Sequence, residues 1–237
     1  MSPWIPRVAL ALLAVGVGYA IYAIAVGEGG PQAVEIEGRP EVQNLIAGIR
    51  QEEERLGSPD AAVEIELFTD VRAVPAAEFQ AGVVDPVIEE YVRSDRAQIS
   101  LRHFSFGRTG VTEAAIAADA AGAQGHQWQY AELVLRNLGN AGSGGVDEDF
   151  LNEIAEVTPG LEKDEWDSEF SEQLRRQRED PDYESAVDAD GELAFELKLP
   201  AQPAMVVTGP GGAETVDEAP TLDEVRLAIE RVEVPPA

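Results

Sequence analysis

The chain has 237 residues and no cysteine, which excludes disulfides, thiolate metal sites and cysteine nucleophiles. Its 45 acidic residues against 17 basic ones give a formal net charge of −28. Such a surface repels phosphate backbones and anionic lipid heads, so no nucleic acid is expected as a partner. The charge fits either a basic partner or a general acidic bias for solubility or salt tolerance.

At 44% hydrophobic residues, the length suits one membrane segment followed by one domain of about 150–200 residues. Residues 1–7 hold Trp4 and Arg7. Val8 to Val26 then runs without a charge, about 28 Å as a helix and close to the ~30 Å hydrocarbon core. Arg7 before the run and Glu28 after it give an N-terminus in the cytoplasm and the remainder outside, by the positive-inside rule. Ala23-Ile24-Ala25 has the small-x-small form of a cleavage site, the signal-peptide alternative. The length of the apolar run and the single arginine favour an uncleaved anchor at 8–26, a single pass through the cell membrane. Residues 27–40, rich in Gly, Pro and Glu, read as a linker.

Beyond the linker, apolar residues at Val42, Leu45, Ile46 and Ile49 predict a helix over 41–56. Gly57-Ser58-Pro59-Asp60 is a turn, and Ala62 to Leu67 alternates as a half-exposed strand. A helix is expected over 79–93, kinked or started by Pro86. A strand is expected over 97–106, with His103 facing away from Leu101. Helices follow over 112–122, 127–138, 149–157, 162–179 and 183–197, the last interrupted at Gly191. The loop 140–145 separates the second of these from the third. Met205 to Val207 reads as a strand and Gly209 to Gly212 as a tight turn. Thr221-Leu222-Asp223-Glu224 has capping-box form and opens the final helix, leaving 233–237 as a tail.

Four segments carry a resemblance. Phe68-Thr69-Asp70-Val71-Arg72-Ala73-Val74-Pro75-Ala76-Ala77-Glu78-Phe79 follows a strand and opens a helix. Leu56-Gly57-Ser58-Pro59-Asp60-Ala61 precedes that strand. Gly125-His126-Gln127-Trp128-Gln129-Tyr130 lies in the helical block, and Leu199-Pro200-Ala201-Gln202-Pro203-Ala204-Met205 precedes the third strand. Together they resemble the DsbA-like branch of the thioredoxin superfamily. The first segment is similar to F-x-D-x-x-C-P-x-C-x-x-F and the third to G-x-x-W-x-Y/F. The last is similar to V-x-G/S-T-P-T/S-F, whose proline is cis. The resemblance covers about residues 41–232. It implies an α/β, thioredoxin-like fold with an inserted helical domain at about 111–190, preceded here by the transmembrane helix.

On that pattern the two cysteine positions fall on Ala73 and Ala76, and the dipeptide between them is Val74-Pro75, its proline displaced by one place. No Ser or Thr replaces either thiol. Thiol–disulfide exchange needs a thiolate, so it is closed to this chain alone. The resemblance points to a cleft formed by Val74, Pro75, Gln202 and Pro203, where an extended peptide would pair with backbone; otherwise Pro203 only fixes a turn. Asp70 reads as a turn or capping residue. His103 and His126, with no cysteine and no H-x-x-E spacing, make no transition-metal set. The acidic runs Asp147 to Asp149, Glu162 to Glu165 and Asp188 to Asp190 lack the twelve-residue calcium-loop pattern. No metal or cofactor is expected.

Three functions fit. The first is a redox-inactive, membrane-tethered binding or scaffold subunit holding a protein or peptide, within a membrane complex. The second is an oxidoreductase by descent whose thiols come from a partner. The third is a structural accessory subunit whose cleft stays empty.

Overall fold

A computed structural model describes residues 35–105, 112–141, 145–180 and 183–235. The expected anchor at 8–26, the segment 1–7 expected in the cytoplasm and the expected linker up to residue 34 lie outside the described residues. Among those described, no helix is long and apolar enough to cross a membrane.

Helix α1 (Arg39–Ile46) begins inside the expected linker, with Pro40 in its first turn, where a missing N–H costs nothing. It is shorter than the periodicity suggests. Gly48 adopts φ 78°, a left-handed conformation that turns the chain away from the helix. Arg93 donates to the carbonyls of Asn44, Leu45 and Ala47, satisfying the exposed helix end. Ile49 therefore lies beyond the helix, and the rest of the expected 41–56 helix is a small hairpin, β1 (Gln51–Glu52) and β2 (Arg55–Leu56).

The sheet continues through β3 (Val63–Thr69), β4 (Ala97–His103), β5 (Ala204–Gly209) and β6 (Gly212–Val216), in the order β1-β2-β4-β3-β5-β6. Only β3 and β4 pair in parallel, with Leu67 opposite Leu101 and Thr69 opposite His103. The parallel pair needs a crossover, which the helix between them supplies. Val63, Ile65 and Leu67 are buried while Glu64 is exposed, as the alternation requires. Strand β6 was not expected, because Gly212 to Val216 carries no apolar alternation. It pairs with β5 once the Gly209–Gly212 turn closes. At that turn a Cβ on Gly209 would lie 2.6 Å from the Val232 carbonyl oxygen and one on Gly211 2.5 Å from that of Arg231. The last helix thus sits against bare backbone.

The crossover helix begins at Val74 rather than 79. It comprises α2 (Val74–Phe79), a wide π turn (Gln80–Val84), α3 (Asp85–Val87) and a second π turn (Ile88–Val92). We call these together the site helix. Pro86 has no N–H and its ring would crowd the carbonyl four residues back in an α-helix. The wider turn before it relieves that contact and preserves the helix. The widening also brings residues five apart onto one face, Gln80 and Asp85 among them.

Between β4 and β5 come α4 (Glu113–Gly122), α5 (Gln127–Arg136), α6 (Glu148–Val157), α7 (Lys163–Glu179) and α8 (Ala186–Glu196). The inserted body is centred on Trp128, Tyr130, Phe150 and Trp166, all buried. Tyr130 stacks on Trp166 at 5.7 Å and Trp166 on Phe170 at 4.8 Å between ring centroids. Such pairs add about 0.5–1.5 kcal/mol to the area they bury. Each ring's polar atom is also satisfied. Tyr130 Oη donates to Leu151 O and Trp166 Nε1 to Ala117 O, both at 2.9 Å.

Helix α8 runs unbroken through Gly191, opened by a Ser185–Asp188 capping box. It leaves the inserted body and packs on the sheet, where Phe68, Ala194, Leu199, Ala204 and Val206 form a buried cluster. The capping box at Thr221 opens α9 (Leu222–Glu233) as its sequence indicates, one residue into the expected tail.

Candidate functional site

The two positions that would carry thiols sit at the start of α2. Ala73 caps the helix in an extended conformation with no side-chain bond, and Ala76 is 2% exposed. Val74 is 62% exposed and Pro75 is also exposed. The helix start thus presents two apolar side chains to solvent and no nucleophile.

Asp70 shapes the approach to that helix. Its Oδ1 accepts from Arg72 N at 3.0 Å, a turn closed by the aspartate side chain. The Arg72 guanidinium grips the same carboxylate at 3.0 and 2.8 Å. Burial pushes the Asp70 carboxyl up, but the bonds from Arg72, with Ser105 adding another, win and hold it below the usual carboxylate range. This is the turn role read from sequence.

The loop before β5 reaches the same turn. The Gln202–Pro203 peptide is cis, and Gln202 Oε1 accepts from Asp70 N at 2.5 Å. Ala219 N donates to the Pro203 carbonyl at 3.1 Å, and Ala204 pairs with Phe68. The structure therefore brings Gln202 and Pro203 beside the turn that leads into Val74 and Pro75. It adds Arg72, whose pairing with Asp70 no pattern at i, i+2 in a loop would announce.

Of the histidines, His103 lies opposite Thr69, next to Asp70, and His126 precedes α5. His103 and Leu101 are two apart on β4, so they share a face, which corrects the expected opposition. Both are buried. His103 Nε2 lies 3.1 Å from Gln127 Nε2. Burial pushes the imidazole down to about 4, Asp70's charge opposing, so it is neutral. His126 precedes α5 and packs on Gly160, where φ is 85° and a Cβ would lie 2.8 Å from the ring. Among the described residues no three His, Asp or Glu side chains form a metal set.

Two partly buried charge clusters escaped the sequence reading. In the first, Arg102 lies 3.2–3.3 Å from Glu54, Glu66 and Asp190. Asp190 also accepts from His103 N at 2.8 Å. Burial raises the Asp190 carboxyl to about 7 despite these bonds. In the second, Glu132 on α5 accepts from Gln80 Nε2 at 2.5 Å and from Arg136 Nε at 3.1 Å, while Arg136 Nη2 donates to Asp85 at 2.5 Å. Their only sequence signal is isolated charges within apolar stretches, Glu66 and Arg102 in strands and Glu132 and Asp190 in helices.

With this geometry in view, comparisons with known proteins are informative. A family model described as thioredoxin matches residues 50–231. The chain belongs to the thioredoxin family. Its fold is DsbA-like. BdbD from Bacillus subtilis (oxidised) superposes with a TM-score of 0.62 at 16% identity, covering 77% of this chain and 95% of that one. DsbA from Chlamydia trachomatis gives 0.59 at 18%, covering 75% and 90%. Alpha-DsbA1 from Wolbachia pipientis gives 0.60 at 16%, covering 78% and 91%. No curated protein matches the sequence. Here, then, is a DsbA-like thioredoxin-family chain without cysteines.

Proposed function

We propose that this thioredoxin-family protein is a redox-inactive binding or scaffold subunit, held at the outer face of the cell membrane by residues 8–26. It holds an extended protein or peptide segment in the cleft of Val74, Pro75, Gln202 and Pro203, within a membrane complex. The observation that carries the reading is the pairing of an alanine-substituted, apolar helix start with an ordered cis-proline loop pinned to Asp70. The exposed side chains of Val74 and Pro75 suit an extended partner segment laid across the helix start. The chemistry of thiol exchange has no atom here to start from. An oxidoreductase role with thiols lent by a partner has no observation of its own to favour it.

The test is a photo-crosslinker placed at Val74 in the full-length chain, in membranes, with the crosslinked species identified by mass spectrometry. Val74→Glu and Gln202→Ala are expected to reduce capture of the same partner, with helix content unchanged. Removal of residues 1–34 should leave cleft capture but release the protein from membranes. Unchanged capture in both cleft variants would point to the structural-subunit reading, with the interface on the acidic helical block.

A further inference from the structure

Residues Glu35 to Gly38, just before α1, form a strap laid on the end of α5, 100 residues away along the chain. Asn137, which ends α5 and is 0% exposed, holds it. Its Oδ1 accepts from Glu37 N at 2.8 Å, and its Nδ2 donates to Glu37 O at 3.0 Å. The other N–H goes to Leu133 O at 2.8 Å, and the other lone pair takes Asn140 Nδ2 at 3.2 Å. Every donor and acceptor of this buried amide is used. Asn140 Nδ2 also donates to Glu35 O at 3.2 Å. These bonds grip backbone atoms alone, and Glu35 and Glu37 are exposed.

The next residue of the strap meets a different side chain. Gly38 has φ 80°, and a Cβ there would lie 3.0 Å from Arg136 Cδ. Arg136, the neighbour of Asn137, holds the site helix. Its Nη2 donates to Asp85 at 2.5 Å and its Nε to Glu132 at 3.1 Å. Glu132 also accepts from Gln80 of the site helix at 2.5 Å. Two adjacent residues at the end of α5 thus hold two separate segments, the strap and the helix that begins at the cleft.

We propose that the end of α5 is a joint, in which docking of the strap on Asn137 steadies Arg136 and, through it, the site helix. The two bonds to Glu37 meet one side chain and break together, so the strap has a docked and a released state. When docked, Gly38 backs the Arg136 stem and keeps its guanidinium on Asp85 and Glu132. When released, that backing is gone and the site helix opens more often. A pull on the tether therefore reaches the cleft without touching it. By reciprocity, a cleft occupant that steadies the site helix favours the docked strap. These two consequences rest on the tethered binding reading, whereas the joint belongs to the fold.

The experiment is hydrogen exchange on the full-length chain in non-ionic detergent. It needs no membrane and no partner, so its outcome is independent of the capture test. Rates are corrected for each residue's intrinsic exchange. In the wild type the Glu37 amide should exchange at least about tenfold slower than in an unstructured peptide, because its N–H is bonded. Asn137→Ala should free amide 37 and speed amides 80–85 by about tenfold or more. Amides 166–174 of α7 should keep their rate. Gly38→Val should act on the same two segments with Asn137 and the α5 bonds intact, because valine resists φ 80° and crowds Arg136 Cδ. A wild-type amide 37 at the peptide rate overturns the proposal. So does a variant that frees amide 37 and leaves amides 80–85 as they were, or one that speeds α7 equally. If Asn137→Ala does not fold, Gly38→Val decides.

Discussion

Two carboxyl groups beside the site helix, Asp70 in the turn before it and Glu132 on α5, shift in opposite directions. Before its first turn, Asp70 faces one guanidinium of its own and is held ionised. About three turns along, Asp85 and the facing Glu132 of α5 divide one guanidinium, and burial pushes Glu132 up to about 8. Asp190 follows the same rule, one of three carboxylates around Arg102 and raised to about 7. The lesson is stoichiometric. An arginine per carboxylate favours the charged form, whereas a buried carboxyl that shares its arginine with others is pushed up.

The sharpest way to break this comparison is to remove the shared cation. Arg136→Met should destabilise the protein by about 2–3 kcal/mol at pH 8, below the full buried-pair penalty because Arg136 is partly exposed. The loss should shrink at pH 5, where the raised Glu132 carboxyl leaves no buried charge unpaired. Urea unfolding at the two pH values checks it, and an equal loss at both would break the rule.

Asp190→Asn sharpens the comparison in a second place. Folded Asp190 holds its proton above its ordinary 3.8, so its contribution is complete below that value and is lost as pH rises through about 7. The substitution should flatten the pH 4–7 part of the stability profile, up to about tenfold in folded ratio per unit. The pH 7–9 part, which belongs to Glu132, should remain.

Smaller effects are expected at the cleft. Gln202→Ala removes the acceptor of Asp70 N–H and should cost about 1 kcal/mol by thermal or urea unfolding. Arg72→Ala should cost less than about 1 kcal/mol, since its guanidinium is partly solvated. Here the sign is reversed. The Asp70 contribution is present above 3.8 and is lost as pH falls through its depressed folded value. An Arg72→Ala profile that differs from wild type in alkali rather than in acid would contradict the assignment. Smallest of all is the expected redox gain. Wild-type protein should show no insulin reduction in a thiol-free buffer. Ala73→Cys with Ala76→Cys should restore only a trace, because Pro75 is displaced and position 76 is buried.

Much of the fold was legible because it rests on short-range rules. The alternation of Val63, Ile65 and Leu67, the capping box at Thr221 and the glycines at the Gly209–Gly212 turn act within a few residues. The four segments from Gly57 to Pro203 sit in the order the thioredoxin layout requires. The redox positions Ala73 and Ala76 and the candidate cleft residues Val74, Pro75, Gln202 and Pro203 were picked out the same way, by their place in that order.

What the sequence alone determined is therefore the absence of thiol chemistry, the order of strands and helices, and the apolar helix start. Tertiary structure decided where α1 stops, because Arg93 caps it from a distant helix. It decided that Gly212 to Val216 is a strand, because β5 offered an edge to a segment with no pattern of its own. It also set the burial that pushes the Glu132 and Asp190 carboxyls up. A carboxyl's charge depends on water removed and on partners up to 88 residues away, as between Asp190 and Arg102, and no local pattern along the chain records either.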